Sequence, residues 1–145
     1  MDKILLSCAI IFIWICYVYS QDTLICKICG ISSLKGNMNI AVYKNDLNFL
    51  SQHPYYYQII PLSKNNVINH TLYAKLVLAK GEYAIAFHHD LNKDAKMNKN
   101  FLGIPLEPFA FSRSYNFIFG YPEFKDISII IQKPLDTLEV FMKNY

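Results

Sequence analysis

After the first twenty residues, short extended runs follow one another along this chain with turn residues between them, and nowhere among them does the apolar spacing fit three consecutive turns of helix. Residues 38–43 show the pattern: Met38, Ile40 and Val42 fall on one face, and Asn39, Ala41 and Tyr43 on the other. That period of two is what a half-buried strand requires. Residues 24–31, 55–60, 67–78, 83–88, 124–132 and 135–145 read as further strands, with 83–88 apolar enough to be central. Residues 34–37 and 79–82 supply turns with glycine available for positive φ. Pro61 stops a strand or pushes it to a sheet edge, and residues 45–51 have room for one helical turn. About seven short strands without an internal repeat specify an all-β fold, a single antiparallel β-sandwich. Abundant Ile and Val, with aromatic residues at 15%, agree with strands over helices.

The N-terminus is of another kind. Behind Met1-Asp2-Lys3, residues 4–19 are apolar except for Ser7, and Ser20-Gln21 follows. A membrane-spanning helix wants about 20 apolar residues, whereas a shorter run behind a lysine that ends in a small residue fits a cleaved secretory signal. The expected organisation is a signal peptide over 1–20 and one β-sandwich domain over 21–145, secreted or periplasmic. The alternative is an uncleaved anchor at residues 4–19, because Trp14, Tyr17 and Tyr19 resemble an interfacial aromatic belt. Cleavage removes Asp2 and Lys3 together, so the net charge stays at +3, and it removes the sole tryptophan. Such a charge is far from the concentrated basic surface that nucleic acid needs. The processed chain is expected to be a monomer that does not insert in the membrane.

Cys26 and Cys29 remain after processing. On a strand, three residues at about 3.3 Å each put their Cα atoms roughly 10 Å apart on opposite faces, and a disulfide needs less than about 7 Å. Zinc would need two further ligands, and the processed chain has no second cysteine pair. Two unpaired cysteines, at least one in the core, are the expectation; a disulfide across a local turn, or a redox or metal role, would need the strand to break here.

Residues 89–121 form a long turn-rich excursion of the kind that carries function. Within it Asp90, Asn92, Asp94, Asn98 and Asn100 place oxygen-bearing side chains at positions 1, 3, 5, 9 and 11 of a loop. A D-x-N-x-D start is how a helix-loop-helix calcium loop delivers three of its oxygens. Ala95 stands where that loop uses glycine, Phe101 stands where it uses a bidentate glutamate, and Lys93, Lys96 and Lys99 surround it. Any calcium binding is therefore expected to be weak, and the competing reading is a loop whose side chains cap its own backbone. His88 and His89 are strand neighbours pointing to opposite faces, and one of them is expected to support the loop. His89, Glu107 and Ser112 are the other candidate site residues. No G-x-S-x-G elbow, H-E-x-x-H, P-loop or G-x-G-x-x-G accompanies them.

Leu34-x-Gly36, Ile40-Ala41-Val42-Tyr43, Gly81-Glu82-Tyr83-Ala84-Ile85-Ala86, His89-Asp90-x-Asn92-x-Asp94, Asn98-x-Asn100, Gly103-Ile104-Pro105-x-Glu107, Phe111-Ser112 and Gly120-x-Pro122-x-Phe124-x-Asp126 together resemble the bacterial domain-of-unknown-function family 2141. The resemblance spans roughly residues 24–145. It implies an exported single-domain β-sandwich and no established activity. The Gly81-Glu82-Tyr83 turn before a central strand is also similar to transthyretin-like and carboxypeptidase-regulatory modules, which supports an immunoglobulin-like or transthyretin-like sandwich and says little about function. In its usual form the family's loop reads closer to D-x-N-x-N-G-x-x-D-x-N, so Ala95 and Asn98 depart from it where an ion site would be hurt. The leading functional expectation is a non-enzymatic exported domain that binds a protein, an envelope component or a ligand through the 89–121 region. The alternatives are a metal-dependent hydrolase-like enzyme with an ion at the Asp90–Asp94 loop, and a membrane-anchored structural protein.

Overall fold

The computed structural model describes residues 21–51, 53–116, 120–132 and 136–144; the expected signal peptide lies outside them. Among the described residues nine strands pack as two sheets, two more strands than the sequence pattern suggests. In the first sheet β4 (Val67–Ile68), β5 (Thr71–Ala79), β1 (Gln21–Cys29) and β9 (Asp136–Phe141) lie in that order. The second runs β3 (Tyr56–Pro61), β2 (Asn37–Tyr43), β6 (Gly81–Asp90) and β7 (Phe109–Phe111). The β8 strand (Ile129–Ile131) pairs with the start of β6. All pairings are antiparallel except β1 with β9, which is parallel.

Alternation builds the core. Leu72, Ala74, Leu76 and Leu78 of β5 face inward with Leu24, Cys26 and Ile28 of β1. They meet Met38, Ile40 and Val42 of β2 and Tyr83, Ile85 and Phe87 of β6. As expected, β6 is central, paired with β2 on one side and β7 on the other. Cys26 and Cys29 are both buried and unbonded, on opposite faces of β1.

Four expectations change in detail. The single strand expected at 67–78 is a hairpin, in which Val67 and Ile68 pair with Leu72 and Thr71 across Asn69-His70. Both turn residues have positive φ, at 50° and 60°, the geometry that matches the twist of a tight hairpin. The strand expected at 124–132 begins instead as a helical turn, α1 (Phe124–Ile127). There Glu123 and Asp126 exchange backbone hydrogen bonds as a capping box, and only β8 is extended. The 89–121 excursion contains a strand, β7, and starts after Asp90. Finally, the last strand ends at Phe141, with Lys143 bridged to Phe109.

Candidate functional site

The second sheet turns alternate residues away from the core. Asn39, Ala41 and Tyr43 of β2 lie on this outer face, in register with His88, Ala86 and Ala84 of β6. Phe109 and Phe111 of β7 and Tyr57 of β3 flank them. At one end the face is covered: Phe124 and Ile127 of α1 bury Tyr43 and Ala84. Phe49, just past the 3-10 turn Asp46–Asn48, stands edge-on to Tyr43 and Phe124, with ring centroids 5.5 and 6.2 Å away. At the other end the face is open and forms a groove of about 950 Å³. Asn39, Ala41 and Ala86 make its floor, and Tyr57, Phe109, Phe111 and Tyr121 its walls. The loop after β6 forms its rim through Asp94, Lys96 and Lys99. Small side chains at the two central strands create the depression, because an alanine pair leaves the sheet backbone uncovered between aromatic neighbours.

The rim is wired to the sheet. The Asp90 carboxylate is buried, and it accepts from the Asn39 side-chain amide at 3.1 Å and the backbone N–H groups of Asp94 and Ala95 at 3.2 and 2.9 Å. Asn92 Oδ1 accepts from the Asp94 amide at 3.1 Å, and Asp94 accepts from the Lys96 amide at 2.8 Å. That Lys96 amide holds the Asp94 carboxyl below its ordinary range. Asn100 Oδ1 accepts from the amides of Leu102 and Ile104, and the Asn98 carbonyl from Leu106 at 2.8 Å. The side-chain oxygens of Asp90, Asn92, Asp94 and Asn100, expected to serve an ion, are thus used to cap the loop's own backbone. Ala95 sits at φ +58°, the left-handed conformation its position demands, with Lys93 at +64°. Among the described residues no three His, Cys, Asp or Glu side chains gather as a metal-holding group.

Glu107 fastens the far side of the loop. Its buried carboxylate accepts from the Leu91 amide at 2.9 Å, the Asn98 amide at 3.3 Å and His88 Nε2 at 2.8 Å. The histidine that joins Glu107 and lines the groove is therefore His88. His89 points the other way and donates from Nε2 to the Lys35 carbonyl at 2.8 Å, so the structure does not bring it to the site. Ser112 is buried beneath α1, donating to the Ile127 carbonyl and accepting from the Ile85 amide at 2.9 Å. It braces the fold and stands outside the groove.

Two features set the groove's chemistry. Asn39 Oδ1 is buried at the floor with no hydrogen-bond partner among the described residues, since the amide's nitrogen is committed to Asp90. Partial burial, reinforced by the Asp90 charge, pushes the Tyr57 phenol above its ordinary value; like any tyrosine it is a hydrogen-bond donor at neutral pH. The Tyr55-Tyr56-Tyr57 run is open to reading as a partner-binding patch or as alternate burial in a strand, and Tyr57 lines the groove. Sequence reasoning missed the floor residues Asn39, Ala41 and Ala86 and singled out neither Phe109 nor Phe111 of the walls. The signal that could have found them was the small-polar face of residues 38–43.

These observations define an all-β two-sheet domain with one sheet face open as a groove beneath a braced loop. The chain belongs to the bacterial family described as "Uncharacterized protein conserved in bacteria (DUF2141)", whose model matches residues 26–138, from β1 into β9. No curated protein and no solved structure matches it.

Proposed function

We propose that the chain is an exported, non-enzymatic binding domain of the bacterial envelope or its surroundings, which takes a ligand or a segment of a partner in the outer groove of the second sheet. The observation that carries this reading is the groove itself. Its volume falls in the range of about 300–1,000 Å³ usual for ligand sites, and apolar walls surround a few polar groups. A binding role is favoured over catalysis because Glu107 is engaged by three donors and Ser112 is tied at both ends of its hydroxyl. Neither is posed as a base or nucleophile toward the groove. Export is supported by residues 1–20, and among the described residues no helix is long and apolar enough to cross a membrane.

The test is to fill the floor. Ala86→Phe places a ring on the groove floor while leaving the core face of β6 untouched. Small aromatic ligands selected by thermal shift on the parent should lose their effect on this variant. Retained binding would move the site elsewhere on the molecule. In the same material, an intact mass beginning at Gln21 is the expected result for export with cleavage.

A further inference from the structure

Beyond the groove, the loop's outer end carries a group of four exposed apolar side chains. Phe101 is 94% exposed, Leu102 67%, Leu106 60% and Ile104 40%. The segment holding them is ordered by its own hydrogen bonds: the Asn100 side chain caps Leu102 and Ile104, the Gly103 amide donates to the Asn100 carbonyl at 2.9 Å, and Lys99 bridges to Pro105. Four large apolar side chains are thereby held outward at the end of the loop. A bilayer needs no shape complement, so side chains held outward in this way can partition into it directly. Charge points the same way. Lys93, Lys96 and Lys99 are exposed on the same loop, while the carboxylates of Asp90 and Glu107 are buried, so Asp94 is the only exposed acid among residues 90–107.

We infer that the 99–106 tip inserts peripherally into the interface of an anionic phospholipid membrane, with Phe101 and Leu102 entering the acyl boundary and Lys93 and Lys96 meeting the headgroups. This is contact by one loop and not a span, and it goes beyond the expectation that the processed chain leaves the membrane alone. It is independent of what the groove binds. Because Lys99 and Pro105 also line the groove, insertion would bring the groove's mouth to the bilayer surface.

Phe101→Trp in the protein as its host exports it supplies a reporter, with the parent's spectrum subtracted to remove any contribution from Trp14. On vesicles of phosphatidylglycerol the emission should shift to the blue and be quenched by brominated acyl chains. Phosphatidylcholine vesicles should give much weaker partition. Lys93→Gln with Lys96→Gln should weaken partition to anionic vesicles by more than tenfold, since each lysine contributes roughly fivefold near such a surface. Unshifted emission on phosphatidylglycerol, or equal partition to both lipids, would overturn the inference. So would a shift produced by a purified envelope protein and not by vesicles.

Discussion

Gly36 shows how much one residue can decide. Its φ is +81°, and a Cβ there would lie 2.0 Å from the Asp90 carbonyl oxygen and 2.7 Å from the Leu91 Cα. The chain before β2 thus presses directly on the base of the loop that rims the groove, and neither backbone can give. Gly36→Ala should cost about 3 kcal/mol or more, from left-handed strain and overpacking together. That is a fall of roughly 10 °C in Tm, readable by calorimetry, and a Tm unchanged within error would refute the close approach. Asp94 gives a second test at this scale. Its carboxyl is held below the ordinary 3.8 by the Lys96 amide, so its contribution to loop order is present above the unfolded value and is lost as pH falls through the lower folded one. Protection of the Lys96 amide in hydrogen exchange, corrected for intrinsic rate, should therefore hold through neutral and mildly acidic pH and drop only below that point. A loss near neutrality would contradict it. Cys26 is the third: burial pushes its thiol up to about 12. It should resist maleimide in the native protein at neutral pH, and in denaturant both Cys26 and Cys29 should react without prior reduction. Finding no reactive thiol would contradict the unbonded pair.

Between elements, the joints are made by polar side chains. Ser112 links the loop after β7 to β6 through the Ile85 amide and to α1 through the Ile127 carbonyl, which places α1 over Tyr43 and Ala84. Ser112→Ala leaves a buried amide and a buried carbonyl unpaired, at a cost of about 2 kcal/mol, measurable by chemical denaturation; Ser112→Thr should retain part of it. A cost near zero would show that α1 is held by apolar packing alone. The elements differ in how legible they were. Strands with strict alternation, such as β2 and β5, could be read because one face is buried and the period is two. The Asn69-His70 turn was hidden because its flanks continue the same apolar alternation, and positive φ at a histidine leaves no compositional mark. The α1 turn was hidden because one turn of helix needs only a capping box, whereas Phe124 and Ile127 look equally good in a strand. The parallel direction of β9 lies in the connection between sheets, which no local pattern encodes.

At the scale of the whole molecule, two sheets share one core, and the second sheet's outer face is divided between a small aromatic cluster and an open groove. The candidate site was half readable. Asp90, Asn92, Asp94 and Glu107 were singled out as oxygen-bearing side chains, and they do belong to one loop, but their oxygens serve its backbone and form no metal-holding group among the described residues. Calcium tighter than the roughly millimolar range of weak extracellular modules is accordingly not expected. His88 could not be separated from His89 without the register that sets β6 against β2. The groove's floor escaped notice because alanine and asparagine matter there for the space they leave. This space is the proposed binding site. The most direct measurement is methyl NMR on the protein with alanine side chains labelled, titrated with small aromatic ligands. The methyls of Ala41 and Ala86 should shift together and saturate with one affinity, while that of Ala74, inside the core, stays fixed. Ligands that bind and leave both floor methyls unmoved would contradict it.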